Sequence, residues 1–289
     1  MQNTLIRLGI VEFKPVLAEK ERNVSKGIEM INQAAEQSVD ILVFPELWTT
    51  GYLAGSRLQT LAERIPGPTT EALAAVSSKH RIFLVGGSIP EITVRKVLNT
   101  LFIVDRTGKL IAKHHKANLW GTYERDHFTP GNKCTVVQTE FGKLGFGICF
   151  DGDFQEYSRT LALQGARIFL NPSGYPSPDE DDWRIFYPCF ARQNGFYVVC
   201  TNLVGHESGE YAKDYYPGGV DFFGESKIID PFGKVVIQSD PARKDTALYC
   251  ADIDLNLVEK ARNRPFFNLH ARRPELYKSL LRKTRTALD

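Results

Sequence analysis

The sequence predicts an α/β chain, α+β in part, built on mixed β-structure. Apolar runs of strand character alternate with segments of helical period along the whole length. Three turns of one type then join β-rich runs with no helix between them. The composition, 43% hydrophobic and 24% charged over 289 residues, is that of a globular chain long enough to bury a large core.

Leu5 to Val11 is a short apolar run with β character. From Glu19 to Gln37, Val24, Ile28, Ile31, Ala34 and Ala35 recur at helical spacing. Ile41 to Phe44 is a run of four large apolar residues, the pattern of a strand buried on both faces. Pro66 and Pro68 break the chain, and Thr69 to His80 reads as a second helix. Ile82 to Val85 reads as a strand closed by Gly86 and Gly87. The three turns are Asp105 to Lys109, Thr139 to Lys143 and Asp230 to Lys234, each with a glycine where a hairpin needs positive φ.

Lys143 to Cys149 is a strand, followed by Asp151-Gly152-Asp153 and a helix from about Phe154 to Gln164. Arg167 to Leu170 is the next strand, ending at Asn171-Pro172. Asp181 to Asn194 reads as a helix that Pro188 should bend or cut. Phe196 to Cys200 is a strand, others lie near Ser226, Val235 and Leu248, and a helix runs from Asp254 to Arg262. No linker, low-complexity tract or long repeat interrupts the alternation. Residues 1–289 therefore form one domain, with 262–289 as a C-terminal extension.

The net charge of +2 does not suggest a general polyanion binder. From Glu259 to Asp289, however, nine Lys or Arg stand against three Asp or Glu. The rings of Phe266, Phe267 and Tyr277 in that segment favour docking on protein over binding nucleic acid or membrane, because rings need burial. Five widely spaced cysteines do not form a disulfide framework. No segment reaches the ~18 apolar residues of a membrane helix, and the first residues lack a secretory pattern. These features set the expectation of a cytoplasmic protein with reduced thiols.

P-loop, complete dinucleotide and serine-elbow motifs are absent. His114 and His115 are neighbours on a strand, so they point to opposite faces and make a poor chelating pair. No metal and no cofactor is expected. Cys149 ends a strand just before a turn and a helix, where a helix N-terminus would favour its thiolate. The other four cysteines read as core. Glu46 follows a fully apolar strand, at the sheet edge where sites in α/β folds collect. Lys116 ends the second strand of a hairpin and could stabilise an oxyanion. Glu124 stands in a polar loop leading to Phe128-Thr129-Pro130-Gly131.

Taken together these segments resemble the nitrilase superfamily of carbon–nitrogen hydrolases, which carry Glu, Lys and Cys in that chain order. Phe44-Pro45-Glu46-Leu47-Trp48 to Gly51-Tyr52 resembles the glutamate pattern. Lys113 to Leu119 with Glu124, Phe128, Pro130 and Gly131 resembles the lysine pattern. Gly147-Ile148-Cys149-Phe150-Asp151, with Phe154, Glu156 and Arg159, resembles the nucleophile pattern. Asn171-Pro172-Ser173 and Trp183 are similar to the substrate-side loop. The chain departs from the usual pattern at His114-His115, Asn118 and Gln155.

The resemblance implies a four-layer α-β-β-α sandwich of two mixed β-sheets. It implies Glu46 as proton carrier, Cys149 as nucleophile and Lys116 with the Phe150 N–H as oxyanion donors. Glu124 would orient Lys116 or the substrate, and Tyr52, Ser173 and Trp183 are candidate substrate contacts. The reaction implied is hydrolysis of a small amide through a thioester, releasing ammonia and a carboxylate. Phe150-Asp151-Gly152 after the cysteine resembles amidases and carbamoylases, while nitrilases tend to have Trp-Glu there. An N-carbamoyl amine or amino acid and a nitrile are the alternative substrates. A non-catalytic scaffold is the alternative of another class. The family also pairs through outer helices and exchanged tails, so a homodimer or larger homo-oligomer is expected, with 262–289 on the partner subunit.

Overall fold

The computed structural model describes residues 4–94 and 96–282. The first half of the chain runs β1 (Leu5–Glu12), α1 (Lys20–Glu36), β2 (Ile41–Val43), α2 (Leu58–Leu61), α3 (Pro68–Lys79), β3 (Phe83–Ile92), β4 (Val97–Val104), β5 (Leu110–His115) and α4 (Gly121–His127). The second half runs β6 (Thr135–Thr139), β7 (Gly142–Phe146), α5 (Gln155–Leu163), β8 (Ile168–Pro172), α6 (Glu180–Asn194), β9 (Tyr197–Thr201), β10 (Val204–Glu207), β11 (Val220–Phe223), β12 (Lys227–Ile229), β13 (Val235–Gln238), β14 (Ala247–Asp254) and α7 (Asn256–Arg262).

Two six-stranded sheets form, in the orders β14-β1-β2-β3-β4-β5 and β13-β12-β9-β8-β7-β6. Each is mixed. β1, β2 and β3 pair in parallel, as do β7, β8 and β9, and the outer pairings are antiparallel. The antiparallel pairs β4–β5, β6–β7 and β12–β13 are joined by the three anticipated turns. Gly108, Gly142 and Gly233 take φ of 87°, 90° and 83° there, which glycine reaches without steric penalty.

The layers follow from which side chains share a core. Ile41 and Val43 of β2 pack in one cluster with Leu144, Phe146, Ile168 and Leu170 of the other sheet. Leu42 and Phe44 pack in a second cluster with Met30 and Ile31 of α1 and Leu73 of α3. One strand thus serves two interfaces, as its unbroken apolar run predicts. α5 and α6 cover the second sheet through Leu161, Ala162, Tyr187 and Ala191. The arrangement is the α-β-β-α sandwich.

Three local expectations are corrected. β3 is not closed by Gly86 and Gly87 but runs through them to Ile92, with a shift of register between Val85 and Ser88. Pro188 does not cut α6, which is one helix from Glu180 to Asn194. Burial of Trp183, Tyr187, Phe190 and Ala191 outweighs the ~3 kcal/mol that an interior proline costs. Glu124 lies on α4 rather than in a loop.

Candidate active site

Glu46 lies three residues beyond β2, and the bulge in β3 builds its turn. Ser88 N–H donates to Pro45 O at 3.1 Å, Leu47 N–H donates to Ser88 Oγ at 3.1 Å, and Trp48 Nε1 donates to Gly86 O at 2.9 Å. A Cβ on Gly87 would sit 2.1 Å from Pro45 O, and Gly87 has φ +65°, so only glycine permits this approach. The buried Glu46 carboxylate receives three N–H donors. They are Asn99 Nδ2 at 2.7 Å and Lys116 Nζ at 2.8 Å on Oε1, and Gly174 N at 2.8 Å on Oε2.

Lys116 follows β5 directly and is 1% exposed. Its Nζ donates to Glu46 Oε1 and, at 2.6 Å, to Glu124 Oε1. An ammonium has three N–H donors, so a third remains beyond these two carboxylate bonds. Burial works against its charge, but Glu124 and Glu46 outweigh burial and hold its pKa well above the ordinary value. Glu124 is fixed by Trp120 N–H on Oε2 and the Tyr52 hydroxyl on Oε1, both at 2.8 Å. Burial raises the Glu124 carboxyl, and Lys116 opposes that rise.

Cys149 is 6% exposed and opens a 3₁₀ turn, Cys149–Asp153. Its φ of 47° is left-handed, a strain of roughly 1–3 kcal/mol for a residue with a Cβ. Asp151 over-determines that turn. Its carboxylate accepts Ile148 N at 3.1 Å on one side, and Asn118 N at 2.8 Å and Ala117 N at 3.1 Å on the other. His114 Nε2 lies 3.1 Å from Asp151 Oδ2. The strand end that carries Lys116 is thereby tied to the turn that carries Cys149. His115 leaves the opposite face of β5 toward Glu91, as adjacent strand residues must.

The expected helix dipole does not reach the thiol, since α5 begins only at Gln155. Burial pushes the Cys149 thiol well above its ordinary value, Glu46 pushes it further, and Lys116 pulls the other way. The resting group is a thiol, which needs a base to become a nucleophile. Of the remaining cysteines, Cys200 is buried, Cys134 and Cys250 are half-buried, and Cys189 is exposed on α6 rather than in the core.

The other expected site residues fall into two groups. Tyr52 is buried and bonded to Glu124, and Phe150 adjoins Cys149 with its ring against Phe154. Ser173 holds Glu46 through its backbone, where Glu46 N–H donates to Ser173 O at 3.3 Å, while its hydroxyl donates to Asn171 O at 3.1 Å. Trp183 is fully buried, donates Nε1 to Glu225 O at 2.9 Å, and packs on Tyr175 at 5.3 Å between centroids. Sequence reasoning missed Asn99, Asp153 and the parallel Trp120–Tyr216 pair. Asn99 had a signal, a lone amide inside the apolar run Val97 to Val104. Among the described residues, no group of three or more His, Cys, Asp or Glu could hold a metal ion.

This architecture, with a lysine–carboxylate cluster tied to a strained thiol turn, places the chain among the nitrilase-superfamily folds. Residues 7–263 match the carbon–nitrogen hydrolase family model, and the chain belongs to that family, enzymes that hydrolyse carbon–nitrogen bonds other than peptide bonds. It is 30% identical to a probable nitrilase of Schizosaccharomyces pombe, over 95% of this chain and 98% of the relative. It is 27% identical to the omega-amidase of Homo sapiens, over 97% and 99% respectively. A carbon-nitrogen hydrolase from Helicobacter pylori G27 superposes with a TM-score of 0.88 at 24% identity, covering 98% of this chain and all of that one.

Proposed function

We propose that the protein is an amidase that hydrolyses a small non-peptide amide through a thioester at Cys149. The observation that carries this reading is the buried Glu46–Lys116–Glu124 cluster tied through Asp151 to the Cys149 turn. Glu46 takes the thiol proton as sulfur attacks the amide carbonyl. The third N–H of Lys116 and the Phe150 N–H receive the oxyanion. The tetrahedral intermediate collapses as Glu46 returns the proton to the departing nitrogen, which leaves as ammonia. Glu46 then takes a proton from water, which cleaves the thioester to the carboxylate. Glu124 holds Lys116 in place, and Tyr52 holds Glu124. The name of the omega-amidase relative supports an amide, while that of the probable nitrilase keeps a nitrile as the second substrate class. We place the protein in the cytoplasm, as a homodimer.

The test is ammonia release from simple amides, N-carbamoyl amines, N-carbamoyl amino acids and nitriles, with wild type beside Cys149→Ala and carbon dioxide followed in parallel. Ammonia from amides without carbon dioxide, abolished by the substitution, is the expected result. Both gases together would indicate a carbamoylase. Ammonia from nitriles alone would indicate a nitrilase. No product, or equal activity in the variant, would sink the assignment of Cys149.

A further inference from the structure

Asp153 closes the turn that Cys149 opens. Its Oδ2 accepts the Tyr175 hydroxyl at 2.9 Å, while Oδ1 is shielded from solvent and has no partner. Buried carboxylate oxygens are ordinarily satisfied, and an orphan one asks for a donor. The neighbourhood supplies none. Lys116 is held by Glu46 and Glu124, and no ion pair reaches Asp153 among the described residues. Among the strongest electrostatic influences on the Cys149 thiol, the carboxylates Glu46, Glu124 and Asp153 stand against one ammonium, Lys116. Lys116 pairs with Glu46 and Glu124, so Asp153 is the carboxylate of this group that no ammonium among the described residues pairs with. Burial pushes Asp153 up to about 7 against the pull of Tyr175 and Lys116, and Asp182 and Asp179 add a smaller push. The groups that feel the Asp153 charge in turn include Tyr175, Tyr187, Cys149 and Cys200.

We propose that Asp153 selects the substrate, and that the preferred amides carry a protonated amine a few atoms from the scissile carbonyl, its ammonium pairing with Asp153 Oδ1. This rests on the amidase reading. An ammonium satisfies the orphan oxygen and favours the ionised form of Asp153. An amide with a distal carboxylate would instead meet like charge in a low-dielectric site. The turn that presents the nucleophile thus also reads the far end of the substrate.

The experiment compares three compounds of matched shape: 4-aminobutanamide, pentanamide and succinamate. kcat/KM is measured by ammonia release at pH 7.5. Wild type is expected to favour the cation over pentanamide by about tenfold or more, and to disfavour succinamate, the scale of a charge-assisted hydrogen bond. Asp153→Asn should reduce the cation-to-neutral ratio by about tenfold, and Asp153→Glu should restore part of it. A wild-type preference for pentanamide or succinamate, or a ratio that Asp153→Asn leaves unchanged, overturns the proposal. If Asp153→Asn does not fold, the wild-type ranking decides alone. Turnover of none of the three counts against the amidase reading. Calorimetry on Cys149→Ala protein then reads the charge preference separately, and absence of preferential binding of 4-aminobutanamide overturns it.

Discussion

Lys116 stands between two carboxylates with almost no solvent around any of the three. Removing it leaves Glu46 and Glu124 facing each other unpaired. Lys116→Ala is therefore expected to cost roughly 3–5 kcal/mol of stability and, separately, a hundredfold or more in kcat through the lost oxyanion donor. Urea unfolding and kcat measured well below the variant's melting temperature separate the two. An intact kcat would remove Lys116 from the chemistry. Glu207 makes a second prediction. It is 6% exposed, accepts Leu53 N–H at 2.5 Å, and has one oxygen without a partner. Burial pushes it up to about 7 from 4.5, against the pull of the Leu53 and Tyr52 backbone N–H groups. A carboxyl raised on folding stabilises the fold fully below its unfolded value, and that stabilisation is lost as pH rises through 7. Wild type should thus gain roughly 2–3 kcal/mol on Glu207→Gln as pH falls from 8 to 5. Parallel stability curves for the two proteins would show that Glu207 does not titrate in this range. None of this was legible from either residue alone. Glu46, Lys116 and Cys149 stand 70 and 33 positions apart, and only their local patterns together marked them. Asp153 and Glu207 draw their properties from burial, which a sequence does not display.

Between elements, the connection that matters most is Asp151. It receives backbone donors from Ile148, leading into the Cys149 turn, and from Ala117 and Asn118, just past Lys116. Asp151→Ala would leave those N–H groups without acceptors and free the left-handed Cys149 from its restraint. The expected loss is roughly 2–4 kcal/mol in stability and a kcat reduced more than KM is raised, because the damage falls on registration of the proposed nucleophile. A variant with wild-type kcat would show that the turn holds itself. Elements were readable where a single residue type decides the backbone. The three hairpins followed from their glycines, and β2 followed from four consecutive large apolar residues. They were unreadable where tertiary packing overrides local preference. β3 continues past Gly86 and Gly87 because β4 pairs with it on both sides of the bulge, and α6 continues through Pro188 because its apolar face is buried.

Across the whole molecule, the two sheets repeat one plan. In each, a central trio of parallel strands is connected by helices and flanked by antiparallel strands, β1-β2-β3 with α1 and α3 in one and β7-β8-β9 with α5 and α6 in the other. The sequence showed no long repeat, since a shared fold needs only matching apolar spacing. Glu46 leaves the first trio and Cys149 the second, so the proposed catalytic set forms where the halves meet. The chain beyond α7 belongs to neither half. Phe267 is buried there, near Gly195 and Arg262. Phe266 is 96% exposed, and Leu276, Leu280 and Leu281 are also exposed. Residues 283–289 of the proposed extension lie outside the described residues. Apolar side chains on a basic segment are poorly accounted for by solvent, and a second copy of the chain would cover them. Cutting after Asn263 should therefore shift the sedimentation profile from dimer to monomer and lower the melting temperature. An unchanged profile would mean that the extension docks on its own subunit and that any dimer is held by other surfaces.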